Sequence, residues 1–359
     1  MTVTAPPLPP TLQLEFVGQY PAPPAERLRH ANAALLEQYL NSWTRAFGEP
    51  NYQEDGDFEN FVETMARFDA AGRAFGYGNT TVINQAGEHL FAHFQLSDGA
   101  PILPGEEVEP DFVFGPVATW GYGHQHRSGD STIADRYWDI PAFKGLSGRR
   151  WELAGFYPDD PGARDIVQVH QAMFDDGVRD FVVKGTEPKT LLEMFSLTAR
   201  PEELYGGELP SDLTDGVMHR EGNSAVFLVQ ERIPMTFEYR VFMAGPNPVA
   251  AAGCIEDYTP LDSRGAVFDP RFEEMRGSGD VVWNQMLADE MKLFARHAGQ
   301  LLYGQAPQLG AAWVMDLARN ADTGEIVVIE LNPARNAGLY ASSPNAWMEG
   351  IRSHLTSSR

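Results

Sequence analysis

Trp313-Val-Met-Asp-Leu-Ala318 and Ile326-Val-Val-Ile-Glu-Leu331 are two apolar runs of strand length, separated by Asn320-Ala-Asp-Thr-Gly324 and followed by Asn332, and their reading decides the fold. Asn, Asp and Gly tolerate the backbone conformations that a tight connection needs, so the pair reads as the clearest hairpin in the chain. With the turn near Asn320 to Gly324, Asp316 on the first strand lies about opposite Glu330 on the second, and Val314 about opposite Asn332. Side chains alternate at period two, so Glu330 and Asn332 share a face, and this register brings Asp316 onto it. Two carboxylates and one amide then converge with no lysine nearby to neutralise them. Like charges across a sheet repel, which makes a bound cation the natural compensation. Oxygen donors that leave room for water and phosphate suit Mg²⁺ rather than zinc. Taken alone, the hairpin leaves equally open a solvated sheet face that carries acids by chance.

Working outward, Ala225-Val-Phe-Leu-Val229 reads as a buried strand followed by Gln230-Glu-Arg-Ile-Pro234. Glu238 comes seven residues after Glu231 and two before Arg240, on the same strand face. Phe237 to Ala244 and Val249 to Ile255 pair as a hairpin through Gly245-Pro-Asn-Pro248. Asp180-Phe-Val-Val-Lys184 is a short buried strand that ends in a lysine, and Lys189 follows across Gly185-Thr-Glu-Pro188. The chain has only four lysines, so two of them within six residues stand out. Plainer readings stay open: Lys184 as a strand-end lysine snorkelling to water, and Arg240 as the partner of Glu238 or another surface acid.

Together these segments resemble the ATP-grasp superfamily over about residues 165–340. The resemblance rests on a lysine on a central strand, an acidic hinge after an apolar strand, a second acid seven residues on, and a final Asp with Glu-x-Asn. Glu238-Tyr-Arg240 further resembles the arginine-bearing strand of a carboxylate–amine ligase clade marked by one arginine and two lysines, here Arg240, Lys184 and Lys189. The implied fold is α+β, two α+β subdomains clasping ATP, preceded by an N-terminal α/β domain. The implied division is residues 1–160 for that N-terminal domain, 161–235 for the central subdomain and 236–359 for the C-terminal subdomain with the metal site. Carried over by motif, Lys184 and Lys189 contact phosphates, Gln230, Glu231, Arg232 and Ile233 form the adenine hinge, and Glu238 holds the ribose. Asp316, Glu330 and Asn332 hold Mg²⁺, two ions in that family. Many members carry an arginine two residues before the metal Asp, where this chain has Val314, so the transferred phosphate falls to Arg240 or Arg335. The loop after Lys184 is also poor in glycine.

The implied chemistry is attack of a carboxylate on the γ-phosphoryl group of Mg-ATP, followed by displacement of phosphate from the acylphosphate by an amine. Arg240 would steady the phosphoryl group or the tetrahedral intermediate, and Arg335 would meet a substrate carboxylate as a planar fork. The partner is then a small molecule or a peptide. Two other readings stand beside this ligase: a non-catalytic ATP-binding assembly factor, and a phosphotransferase that stops after phosphoryl transfer.

The remaining chain reads as mixed α and β. A proline-rich arm surrounds a short strand, Leu12 to Val17, and helices are expected over Glu26 to Phe47, Phe58 to Phe75, Ala163 to Gly177 and Asn284 to Leu302. Pro188 to Leu197 and Pro201-Glu-Glu-Leu read as further helix starts, and Asp98 to Asp111 as an acidic surface loop. The 359 residues carry 27 Lys and Arg against 50 Asp and Glu, a formal charge of −23, which argues against non-specific nucleic-acid binding, since that needs a basic face. It likewise disfavours an anionic membrane, while a local basic pocket can still hold a nucleotide. No run is long and apolar enough for a membrane span or a signal peptide, and the single Cys254 excludes a disulfide framework, so a reducing cytoplasm fits best.

Several other signals carry less. His89 and His93 have a spacing that ligates metals on helices but lack a metalloprotease Glu, and they read as ordinary histidines. His124 and His126 sit in a Gly-rich aromatic loop, a composition found at ligand sites. Cys254 reads as a small core residue.

Overall fold

A computed structural model describes residues 12–17, 32–47, 58–75, 81–85, 89–94, 112–113, 133–134, 136–155, 164–186, 192–200, 226–334 and 337–357. Near the N-terminus, β1 (Leu12–Val17) precedes α1 (Ala33–Phe47) and α2 (Phe58–Phe75). Asn32 caps α1 by accepting from the Leu35 amide at 3.1 Å. Then follow β2 (Thr81–Gln85), β3 (His89–Phe94) and β4 (Phe112–Val113), in a sheet of order β2-β3-β1-β4. His89 and His93 thus lie on a strand, where the helical metal-ligand spacing does not apply.

The next segment holds α3 (Pro141–Leu146), β5 (Trp151–Gly155), β6 (Arg164–Asp165), α4 (Ile166–Asp175), β7 (Asp180–Gly185), β8 (Leu192–Ser196) and β9 (Val226–Glu231). The sheet order is β6-β5-β9-β7-β8, and α4 buries Ile166, Val169 and Met173 in a core with Phe181, Val183 and Phe227. β8 corrects the expectation of a helix beginning at Pro188. Leu, Glu and Met favour a helix locally, but the segment pairs antiparallel with β7, Lys184 opposite Leu192 and Asp180 opposite Ser196. Phe195 thereby stacks on Phe181 with ring centroids 5.5 Å apart, and Leu197 is buried. Tertiary pairing overrides propensity.

The remainder begins with β10 (Met235–Ala244) and β11 (Asn247–Gly253). Gly245 turns the chain between them at φ 53°, and a Cβ there would run into the His354 ring. Then come β12 (Arg271–Glu273), β13 (Val281–Trp283), α5 (Gln285–Gln305), β14 (Ala312–Asn320), β15 (Ile326–Pro333) and α6 (Pro344–Ser357). The main sheet here runs β11-β10-β14-β15.

By packing, Met1–Ala134, Thr236–Ala318 and Ile329–Arg359 make one unit, and Asp135–Met235 with Arg319–Val328 make the other. In the first, Phe61, Val62 and Met65 of α2 share a core with Phe242, Val314 and Trp347. The Trp347 indole donates to the Met243 carbonyl at 3.0 Å. Among the described residues no helix is long and apolar enough to cross a membrane. The expected helix at Pro201, the Asp98 to Asp111 loop, His124 and His126, and the site residues Lys189 and Arg335 lie outside the described residues.

Candidate active site

Three neighbouring strands of the first unit, β10, β14 and β15, bring five of the expected residues to one place. Asp316 is 5% exposed. Its two carboxylate oxygens accept from Arg240, Oδ1 from Nε at 2.8 Å and Oδ2 from Nη2 at 2.7 Å. The Asn332 amide nitrogen donates to Asp316 Oδ2 at 3.0 Å and to Glu330 Oε1 at 3.1 Å, so all three β14 and β15 residues face the same side. The cation beside the acids is an arginine rather than a lysine, because the sheet order sets β10 beside β14 and points Arg240 at Asp316.

The pair is a bidentate, charge-assisted contact in a desolvated setting. Burial works against the Arg240 charge, yet Asp316 holds its guanidinium well above the ordinary range. The Tyr340 ring lies below it, with Cζ 5.1 Å from the centroid, and Tyr340 is held at φ 47°. Glu238 shares this neighbourhood. Burial raises its carboxyl above the usual value, Arg276 and Arg240 pull it down, and Asp316 and Glu330 push it up. Cys254, buried beside these groups, has its thiol raised by burial and then by Asp316, so it stays protonated and is no nucleophile.

A brace from α2 reaches the same place. Arg67, fully buried, donates to the Ala337 carbonyl at 2.5 Å, and Glu63 Oε1 accepts from the Leu339 amide at 2.5 Å. Between those points the Gly338 carbonyl accepts from Arg240 Nη1 at 3.3 Å. A Cβ on Gly338 would sit 3.4 Å from both Arg240 Nη1 and Glu63 Oε1, at the edge of ordinary contact. Burial lowers the Arg67 pKa to about 10, Glu63 opposes this, and Arg240 adds to it. Neither α2 residue carries a motif, and Arg276 is signalled only by the glycines that follow it.

In the second unit, Lys184 lies one residue from the end of β7, its Nζ 5.8 Å from the Tyr137 ring centroid. Gln230 is 2% exposed, and its Nε2 is buried with no hydrogen bond among the described residues. Glu231 is tied to Arg150, its amide donating to the Arg150 carbonyl at 2.8 Å and its Oε2 accepting from the Arg150 amide at 3.2 Å. The Arg232 amide donates to the Asp180 carbonyl at 2.8 Å, while Ile233 is half-buried.

No group of three or more His, Cys, Asp or Glu side chains poised for a metal occurs among the described residues. Two carboxylates joined through one amide still fit Mg²⁺, which takes one or two protein carboxylates and completes its shell with water and phosphate. Asn332 would then present its amide oxygen.

A family model described as an ATP-grasp domain, family 3 of the clade named for one arginine and two lysines, matches residues 148–351. Among solved structures, D-cycloserine synthetase DcsG aligns at 14% identity and TM-score 0.40, over 63% of this chain and 70% of that one. The D-alanine-D-alanine ligase from Coxiella burnetii aligns at 14% and 0.36, over 63% and 58%. The ATP-grasp ligase PsnB complexed with a minimal precursor aligns at 15% and 0.39, over 90% and 96%. None of the curated proteins matches the sequence.

Proposed function

The chain belongs to the ATP-grasp domain family, in the third family of the one-arginine, two-lysine clade, and on that premise we propose that it is an ATP-dependent carboxylate–amine ligase. It activates a carboxylate as an acylphosphate and joins it to an amine of an amino acid, a peptide or a related small molecule, releasing ADP and phosphate. The observation that carries this reading is the Arg240–Asp316 pair linked through Asn332 to Glu330. A guanidinium held beside two acids and an amide is a site for a phosphoryl group and its cation, since transfer spreads charge over the phosphoryl oxygens and catalysis rests on positioning and neutralising it.

Asp316, Glu330 and Asn332 would hold Mg²⁺, which when bound neutralises phosphate charge. Arg240, aligned by Asp316 and by the Gly338 carbonyl, faces the transferred group, and Arg335 receives a substrate carboxylate. Lys184 and Lys189 meet the phosphates, Gln230 to Ile233 receive adenine, and Glu238 accepts from the ribose hydroxyls.

The test is a screen of amino acids and peptides for stimulated ADP release, with mass spectrometry of the product. A condensed product with ADP and phosphate supports the ligase; a phosphorylated substrate that persists, or ATP binding without turnover, overturns it. Glu330→Ala should lower Mg²⁺-dependent turnover by about 10²-fold or more with the far-UV spectrum unchanged. Asp316→Asn should do the same, and it is preferred to alanine because it fills the same space and keeps one oxygen to accept from the buried Arg240, the counter-charge being lost in either change. Wild-type turnover in either variant would remove these residues from the metal site.

A further inference from the structure

Arg276 lies in Met275-Arg-Gly-Ser-Gly-Asp280, a turn held by an unusual number of fixed contacts for an exposed loop. Glu273 is only 6% exposed, and both its oxygens are used on this turn, Oε2 accepting from the Gly277 amide and Oε1 from the Gly279 amide, each at 2.9 Å. Gly277 and Gly279 stand at φ 74° and 76°, which other residues resist, and the Ser278 amide closes on the Met275 carbonyl at 3.0 Å. The turn is also tied to β10. The Phe237 amide donates to the Glu274 carbonyl at 2.9 Å, and Phe237, next to Glu238, is itself held at φ 55°. A buried carboxylate, two left-handed glycines and a strained strand residue therefore fix one side chain beside Glu238.

That side chain is 53% exposed, and its Nη1 is 3.9 Å from Glu238 Oε2, an ion pair beyond hydrogen-bond reach. Arg276 makes no hydrogen bond among the described residues, so its planar fork stands ready for an anion. Arg240 is differently placed, with Nε and Nη2 on Asp316 and Nη1 on the Gly338 carbonyl. We propose that Arg276 is a further substrate-binding residue, whose guanidinium receives a phosphoryl group of the nucleotide next to the ribose acid Glu238. This rests on the assignment of Glu238 above.

Calorimetry of ATP, ADP, AMP and adenosine on the full chain tests it. Arg276→Ala, measured at a pH high enough that Glu238 is ionised in both proteins, should bind phosphate-bearing ligands about 10- to 100-fold more weakly while adenosine affinity stays unchanged, and the ligand at which the loss begins names the phosphate contacted. Arg276→Lys should fall between, since it keeps the charge without the fork. Equal loss for adenosine would reveal a merely structural role, and unchanged affinity for every nucleotide would remove Arg276 from the site. Either result overturns the inference. A wild-type protein that binds none of the four ligands overturns instead the nucleotide reading on which it rests.

Discussion

Glu238 shows how a single residue is tuned by its surroundings. Burial raises its carboxyl, and the opposing arginines do not bring it back to the ordinary value. It therefore takes up a proton at a higher pH than an exposed glutamate. Only the ionised form accepts from two hydroxyls at once, so affinity for a ribose is full above the raised pKa and falls as pH drops through it. Adenosine carries no titrating phosphate, and as pH falls from neutral its affinity in the wild type should begin to decline at a higher pH than an ordinary glutamate would dictate. In Glu238→Gln the affinity should be weaker and flat with pH, and a persisting slope would assign the titration to another group. The acids of the cluster are legible in the chain because Glu330 and Asn332 are two apart and Asp316 is one hairpin away. Arg240 is marked by its motif, but its pairing with Asp316 is not legible: it precedes Asp316 by 76 residues, and only strand order makes them partners. Glu63 and Arg67 are farther still, joined to Leu339 and Ala337 across 276 and 270 residues.

Among the elements, the two hairpins are legible because their turns are chemically local, Gly245-Pro-Asn-Pro248 in one and Asn320 to Gly324 in the other. β8 is not, since its stability comes from β7 and from the aromatic packing behind it. That packing includes His170 on α4, fully buried between Phe181 and Phe195, with Nδ1 bonded to the Ile166 carbonyl at 2.7 Å. Burial lowers its pKa to about 4, and the Ile166 carbonyl only partly offsets this. A histidine lowered on folding stays neutral in the native state while the unfolded chain takes up a proton below about pH 6.5. Its contribution is intact above that value and is lost as pH falls toward 4, by about 3 kcal/mol. Urea unfolding of His170→Leu should show a smaller drop in stability between about pH 7 and 4.5 than the wild type does. An identical drop would place the acid sensitivity elsewhere.

Across the whole molecule, the charge of −23 opposes the approach of ATP, itself a polyanion. Repulsion at long range is screened within about 10 Å at 0.1 M salt, so nucleotide association followed by stopped-flow should quicken as ionic strength rises from about 0.02 to 0.2 M. A rate that slows instead would mean that the local field of the arginines outweighs the global one. The sequence by itself determined the mixed α and β class, the main hairpins, the acids on their faces and the resemblance that names the family, because alternation, turn chemistry and short motifs are local properties of a chain. Only the tertiary structure decided that Arg240 neutralises Asp316, that α2 braces the segment holding Arg240, that Arg276 stands beside Glu238, and that a helix-favouring stretch becomes β8. Each of these depends on contacts between residues distant in sequence, whose energies arise only once strands are ordered and side chains leave water.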